Sequence, residues 1–183
     1  MGKFHPELDD PLRDFIARQQ LFFVASAPRD GRVNVSPKGL DTLRIIGARR
    51  VAYLDHTGSA NETAAHLLEN GRMTLMFCSF AGDALILRLY GRGRAVAPRD
   101  AEWASLAPLF PAMPGARQIV VLDIESLQTS CGEGVPLYDY RGQRDGLARW
   151  AEKKGADGLR AYRMEKNRVS IDGLPTGLNE EES

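Results

Sequence analysis

The sequence predicts a mainly β protein with peripheral helices, an α+β chain built on one antiparallel sheet or barrel. Short apolar runs of strand type recur along the first 130 residues, with turn-forming residues between them. Short helical patterns separate some of these runs, and hairpin-length connections join others, as expected for consecutive antiparallel strands. We therefore expect about six strands with helices packed outside the sheet.

Composition narrows the class of protein. The chain has 183 residues, 43% of them hydrophobic, enough for one domain with a substantial core. Because 24 Lys and Arg balance 24 Asp and Glu, no net charge favours nucleic acid or an anionic membrane as partner. Cys78 and Cys131 are far apart, which argues against a zinc site and a disulfide scaffold. No signal-like or membrane-spanning segment is evident, and we expect a cytoplasmic protein.

The N-terminal part is predicted to contain one helix and two strands. Residues 6–20 have the pattern of an amphipathic helix, with Pro11 suited to its first turn. Residues 21–27 are dense in apolar and aromatic side chains, as in a buried strand. Residues 33–36 alternate with period two, and Pro37 ends that strand because proline cannot donate to a ladder.

The stretch 51–96 is the unit around which we expect the rest to be arranged. A short strand leads into a polar loop, and Ser59 and Glu62 then have the spacing of a capping box. A helix should follow and end at Gly71. A long hairpin completes the unit, with strands over residues 72–80 and 84–96.

Two glycines in this hairpin have the Gly-x-Gly spacing found in dinucleotide-binding motifs. Gly91 and Gly93 lie inside a strand pattern and not between a strand and a helix. They therefore fail the context test for a dinucleotide-binding fingerprint. We expect them to mark a bulge or a barrel corner.

The rest of the chain is predicted to be helix, one strand, and helix again. Residues 99–110 should form a helix, and 118–127 is the last strong strand pattern. Beyond Ser130 the composition changes, and two further helices are predicted over 145–154 and 158–167. The apolar residues of the C-terminal tail indicate docking, on this chain or on a partner subunit.

The loop and helix start after residue 55 form a natural seat for an anion, because free amides and the helix dipole point there. Lys38, after Pro37, is either a phosphate ligand or a solvated lysine. His56 is either an acid–base group or a residue bonded within its turn. No second histidine lies at a ligand spacing, so no metal site is predicted. The sequence does not identify a catalytic residue.

Three arginines alternate along one predicted strand, at Arg88, Arg92 and Arg94. Alternate residues of a strand share a face, so three guanidinium groups could clamp an anion. The alternative is a solvated face on which the arginines pair with carboxylates. The residues alone leave both interpretations open.

These elements, in this order, resemble the pyridoxamine 5′-phosphate oxidase-like proteins, which are flavin-binding split β-barrels. The resemblance rests on residues 33–38, 51–67 and 72–96, and the C-terminal segment resembles an uncharacterised bacterial branch of the superfamily. It implies a six-stranded antiparallel split β-barrel domain over 1–130. A C-terminal helical extension over 131–183 would pack on the barrel or on the partner subunit. It also implies a homodimer that binds FMN in clefts between the subunits.

Only some of the family's site residues have counterparts in this sequence. The family's flavin-contacting lysine matches Lys38, and the second arginine of its later strand matches Arg88. Its phosphate-binding Ser-Arg-Lys falls on Asn61, Glu62 and Thr63, so both basic residues are missing. The resemblance then implies a redrawn cofactor site, for which the candidates are Ser36, Lys38, His56, Thr57, Ser59, Asn61, Thr63 and Arg88.

The resulting expectation is an FMN-dependent oxidoreductase acting on a small-molecule substrate. A deazaflavin could replace FMN. The alternatives are a dimeric flavin- or haem-binding module without turnover and a barrel that has lost its cofactor and serves only as a dimeric scaffold. The oxidase's arginine–glutamine pair falls on Leu85 and Ile86, and its C-terminal arginine–histidine motif is not evident. Pyridoxamine phosphate oxidase activity itself is therefore not predicted. Glu62 is expected to turn back toward the helix cap, away from the phosphate.

Overall fold

The computed structural model describes residues 2–178 of the chain. Eight strands and four α-helices follow one another in these residues. In chain order they are β1 (Lys3–His5), α1 (Asp10–Arg18), β2 (Phe22–Ser26), β3 (Asn34–Lys38), β4 (Leu43–Gly47), β5 (Arg50–His56), α2 (Glu62–Asn70), β6 (Arg72–Cys78), β7 (Ile86–Val96), α3 (Trp103–Leu106), β8 (Ala116–Ser130) and α4 (Gly146–Lys166).

The strands form one antiparallel sheet of order β3-β2-β6-β7-β8-β5-β4, with β1 paired to β8. The predicted antiparallel fold is confirmed, but the predicted count of six strands is wrong. Seven strands lie in the continuous order and β1 adds an eighth. β8 has 15 residues and is longer than its pairing with β5. β1 pairs with the part of β8 that lies beyond β5, with Lys3 opposite Thr129.

The sheet curls on itself, and a short loop shows why. β3 and β4 lie at opposite edges of the sheet, yet only residues 39–42 connect them. Five Cα steps span at most about 18 Å, whereas seven flat strands would separate the edges by about 29 Å. Leu40 and Asp41 both have positive φ angles, 63° and 54°, which makes the loop tight. The curl brings the end of β3 near β5.

The core lies on two faces of the sheet. The inward face forms the larger cluster, to which α1 contributes Leu12, Phe15 and Ile16 and α2 contributes Leu67. The other face of β5 and β8 packs under α3 and the 3₁₀ turn Ala107–Leu109. The predicted helix over 99–110 is therefore too long. The chain turns instead where the amide of Trp103 bonds the carbonyl of Asp100.

Glycines set two local features that the sequence predicts. Gly71, with φ 70°, closes α2 in the left-handed conformation. The register between β7 and β8 shifts between Tyr90 and Gly91, which confirms the predicted bulge. A Cβ atom on Gly91 would lie 2.0 Å from the backbone oxygen of Asp123, so the two strands can approach only with glycine there.

The C-terminal extension lies against the barrel. α4 is broken at Gly155, where φ is 66° and ψ is 175°, so it consists of two helical pieces as predicted. Beyond α4 the chain folds back, with a bridge between Val169 and Pro175. Within residues 2–178, no helix is long and apolar enough to cross a membrane.

Candidate functional site

A cluster of polar side chains lies where the end of β3, the end of β5, the start of β8 and the start of α2 meet. Because β5 and β8 are antiparallel, Asp55 at the end of one lies opposite Gln118 at the start of the other. The cluster lines a half-open cavity of about 50 Å³, which we call the polar cavity. It is lined by Asn34, Ser36, Lys38, Asp55, Ala60, Asn61, Glu62, Thr63 and Arg117.

Asp55 is the central acceptor of the polar cavity. Its Oδ1 accepts from Lys38 Nζ at 2.6 Å, and its Oδ2 accepts from Arg117 Nη2 at 2.7 Å and Gln118 Nε2 at 2.9 Å. Burial opposes ionisation of this carboxyl group, but the charges and hydrogen bonds of Lys38 and Arg117 outweigh it. The pKa of Asp55 therefore lies well below its ordinary value, and the carboxylate stays charged at neutral pH.

Arg117 is a candidate site residue that sequence reasoning missed. It is only 5% exposed, and its Nη1 donates to the carbonyl of Ala60 and to Asn167 Oδ1. Its Nε is buried and has no hydrogen-bond partner within residues 2–178. A signal existed in the sequence, since Arg117 and Gln118 directly precede the apolar run of β8. A polar or charged side chain that is buried next to an apolar strand needs a partner, which makes these two residues candidates for a site.

The predicted capping box at the start of α2 is wrong. The N-cap is Asn61 and not Ser59, and no side chain caps the helix. The carboxylate of Glu62 accepts from the amide of Ile171, at 3.0 and 3.2 Å, and does not turn back to the cap. Asn61 Oδ1 does not cap the helix either, because it accepts from Gln118 Nε2 at 2.9 Å. Contacts with distant segments thus replace the local capping bonds.

The open helix start leaves donors without acceptors. Among residues 2–178, no acceptor bonds the amides of residues 62–64. Asn61 Nδ2 is also buried and without a partner. Asn61 is 3% exposed and lines the polar cavity. Buried polar groups in folded proteins are nearly always hydrogen-bonded, so these donors, with Arg117 Nε, are suited to an anionic acceptor.

β3 supplies the opposite wall through alternate residues. Asn34 Nδ2 donates to Thr63 Oγ1 at 3.2 Å, and Ser36 Oγ donates to Asn34 Oδ1 at 3.2 Å. Lys38 follows on the same face, with its ammonium 5.6 Å from the ring centroid of Tyr53. Of the candidate residues, the structure brings together Ser36, Lys38, Asn61 and Thr63.

The remaining loop candidates lie apart from the polar cavity lining. His56 is half-buried, and burial lowers its pKa below the ordinary value. Thr57 is buried, and its hydroxyl accepts from Arg163 Nε at 2.8 Å. Ser59 is exposed.

Arg88 lies on the outer face of the sheet, where it is in register with Met76 and Gln128. Its Nη1 donates to Ser130 Oγ at 3.0 Å, and it lies on the opposite face from Lys38. Arg92 and Arg94, in contrast, pair with carboxylates on an exposed surface. The solvated interpretation therefore holds for these two arginines.

A larger groove of about 1020 Å³ lies between α1, the β6–β7 turn and residues 138–141. Arg18 and Arg141 line it, but so do Asp83 and Asp139, so its charges balance. None of the buried, unpartnered polar atoms found in residues 2–178 lines it. The same residues contain no group of three side chains able to hold a metal ion. We take the polar cavity as the candidate site because two residues with buried, unpartnered donors, Asn61 and Arg117, line it.

Comparison with known families identifies the class of protein. The pattern of the family described as pyridoxamine 5′-phosphate oxidase matches residues 8–131. The chain belongs to this family. The match covers the barrel and leaves most of the C-terminal extension outside.

Relatives of known sequence or structure agree with this assignment. The chain is 42% identical to ustO, a pyridoxamine 5′-phosphate oxidase family protein of Aspergillus flavus, over 193 aligned positions covering 96% of this chain and 78% of that protein. HupZ of Group A Streptococcus has a similar fold, with 19% identity, TM-score 0.54, and 66% of this chain and 91% of that chain covered. A candidate pyridoxamine 5′-phosphate oxidase of Lactobacillus delbrueckii also has a similar fold, with 20% identity and a TM-score of 0.55. The match covers 68% of this chain and 98% of that chain.

Family membership gives the polar cavity a context. Residues 61–63, on which the sequence resemblance places the family's phosphate-binding segment as an expectation, line the polar cavity. The basic side chains at the polar cavity come from elsewhere, namely Lys38 on β3 and Arg117 on β8.

Proposed function

We propose that the chain is a flavin-dependent oxidoreductase that holds the phosphate of FMN at the start of α2. The observation that carries this proposal is the set of buried donors without partners, Asn61 Nδ2 and Arg117 Nε, beside the free amides of residues 62–64. Amides at a helix start and guanidinium groups are the donors that phosphate oxygens accept from in proteins.

The unpartnered donors, and not a net charge, suit the site to an anion. Lys38 and Arg117 carry two positive charges, which Asp55 and Glu62 offset. The carboxylate of Glu62 accepts from the amide of Ile171 and keeps its negative charge. The donor set therefore suits the phosphate of FMN, although the family's own basic pair is missing.

The size of the polar cavity limits which part of FMN it accepts. Small-molecule pockets measure roughly 300–1,000 Å³, whereas the polar cavity measures about 50 Å³. It is suited to the phosphate end alone. The ring system would lie outside it, against a surface that this chain does not enclose by itself.

A second subunit would supply that surface, and the outer face of the sheet supports a homodimer. Val35 is 60% exposed and Pro37 is exposed, while Phe23 and Met76 beside them are half-buried. An apolar sheet face open to solvent marks an interaction surface. Arg88 lies on this same face, which is where it would approach a cofactor shared between subunits.

When bound, FMN supplies the electron transfer, and the protein binds, orients and shields the reactants. Lys38 would present its side-chain nitrogen at the end of β3, since the hydrogen bond to Asp55 fixes its position. Its side chain is 25% exposed and can donate a hydrogen bond to a group outside the polar cavity. The substrate would be a small molecule that reaches this end of β3.

The test is titration of the purified protein with FMN and with riboflavin, which lacks the phosphate, followed by flavin fluorescence and visible absorption. The proposal predicts flavin absorption bands and tighter binding of FMN than of riboflavin. Equal affinities would place the phosphate elsewhere. A Soret band, or a colourless protein that binds neither compound, would contradict the proposal.

A further inference from the structure

The polar cavity depends on a segment outside the barrel. Asn167, at the end of α4, is fully buried, with 0% exposure. Its Oδ1 accepts from Arg117 Nη1 at 2.7 Å, and its Nδ2 donates to the carbonyl of Gly58 at 3.0 Å. One amide thus connects the cation of the polar cavity to the loop that leads into α2.

The same end of α4 makes further contacts with this loop. Arg163 Nε donates to Thr57 Oγ1 at 2.8 Å, and its Nη2 donates to the carbonyl of Ala116 at 2.9 Å. Burial and the neighbouring charge of Arg117 lower the pKa of Arg163. Within residues 2–178, no carboxylate pairs with Arg163. The extension thus adds positive charge behind the loop.

We propose that Asn167 is a positioning residue of the anion site, and that the C-terminal extension completes this site from outside the family's matched region. The inference rests on the proposed function, because it names how the same site is held in place. Asn167 accepts one Arg117 hydrogen bond, so the guanidinium is fixed with its Nε left for a ligand. By bonding Gly58, it also fixes the loop that sets the position of the α2 amides.

Asn167→Asp is the most informative variant, because it keeps the side-chain shape and the acceptor. It adds a negative charge beside Arg117 and loses the donor to Gly58. The inference predicts that FMN affinity falls roughly tenfold, because the new carboxylate competes with the phosphate for Arg117 and the Gly58 carbonyl loses its donor, while riboflavin affinity changes less than about twofold. The ratio of the two affinities separates positioning of the anion site from general damage to the fold.

Thr176→Val is the matched control. Thr176 Oγ1 donates to the carbonyl of Asn167 at 2.7 Å, so its loss loosens the same turn without contacting Arg117. We expect Thr176→Val to change both affinities equally. An Asn167→Asp protein that melts like the parent and keeps the parent's FMN preference would overturn the inference. A parent that does not prefer FMN would instead overturn the proposed function.

Hydrogen exchange on the unmodified protein gives a second measurement if Asn167→Asp does not fold. FMN should slow exchange in residues 57–64 and 163–176 more than riboflavin does, because only the phosphate engages Arg117 and thereby the extension. Slower exchange in 57–64 alone would show that the extension is not part of the site and would overturn the inference.

Discussion

Lys38 Nζ and Asp55 Oδ1 lie 2.6 Å apart and connect β3, at one edge of the sheet, to β5, which is next to the other edge. The pair therefore crosses the opening of the curled sheet. Asp55 continues the link to Arg117 on β8 through its second oxygen. This relationship holds the fold closed at the place where the candidate site lies.

The first prediction concerns this buried carboxylate. Asp55→Asn should lower the free energy of unfolding by about 3–5 kcal/mol, because it leaves two cations without a counter-charge in a buried site. Urea unfolding measures the loss. Asp123→Asn is the control, because Asp123 also pairs with two arginines but is 42% exposed in its side chain. Asp123→Asn should lower the free energy of unfolding by at most about 1 kcal/mol. An equal decrease for Asp55→Asn and Asp123→Asn would contradict the account.

Asp55 also predicts how stability depends on pH. Its pKa in the folded protein is depressed, so its stabilising contribution is present above the unfolded value of about 3.9. The contribution is lost as the pH falls through the folded pKa. Acid unfolding, monitored by circular dichroism, should show that the parent loses stability as the pH falls below about 4. The Asp55→Asn protein should show a shallower fall, and parallel curves would contradict this assignment.

The third prediction tests the bulge at Gly91. A methyl group there would meet the backbone oxygen of Asp123 at 2.0 Å, and backbone cannot move aside cheaply. Gly91→Ala should therefore destabilise the protein by about 1–3 kcal/mol. Gly134→Ala, where a Cβ atom has no neighbour within 4 Å, should stay within about 0.5 kcal/mol of the parent. Thermal melting of both variants decides the point.

Glu62→Gln provides a test of the charge at the start of α2. The substitution keeps an acceptor for the Ile171 amide and removes a negative charge near the polar cavity. We expect FMN to bind roughly two- to fivefold more tightly, since a charge near a helix start is worth about 0.3–1 kcal/mol. Riboflavin should bind as before.

Glu69→Gln serves as the control, because Glu69 lies at the other end of α2 and accepts from the amide of Arg29. It should leave FMN affinity unchanged. An increase in riboflavin affinity that equals the increase for FMN would show that Glu62 acts on something other than the phosphate.

The fifth prediction concerns assembly. The parent should sediment as a dimer at micromolar concentration, and Val35→Asp should dissociate it by placing a charge on the outer face of the sheet. Val169→Asp is the control, since Val169 is also exposed, at 54%, but lies in the C-terminal tail. A parent that sediments as a monomer, or a Val35→Asp protein that remains dimeric, would exclude this face as the interface.

Much of the fold follows from local patterns, and some site residues do too. Gly71 and Gly91 have the roles that their positions predict, because each is set by backbone geometry within one or two strands or a helix end. Lys38 is identifiable as a strand-end residue, and it lines the polar cavity.

The rest of the site could not be predicted, because it depends on contacts between distant segments. Glu62 and Ile171 are 109 positions apart, and Arg117 and Asn167 are 50 apart. The capping-box prediction failed for this reason, since the tail amide provides Glu62 with a tertiary partner in place of the local one. The local spacing of Ser59 and Glu62 contains no information about the position of the tail.

The measurement that tests the central claim most directly is a crystal structure of the protein with FMN bound. The account predicts phosphate oxygens within hydrogen-bonding distance of the amides of residues 62–64, Asn61 Nδ2 and Arg117 Nε, with the ring system outside the polar cavity and between two subunits. A flavin whose phosphate lies away from the start of α2, with Asn61 and Arg117 making no contact to it, would contradict the account.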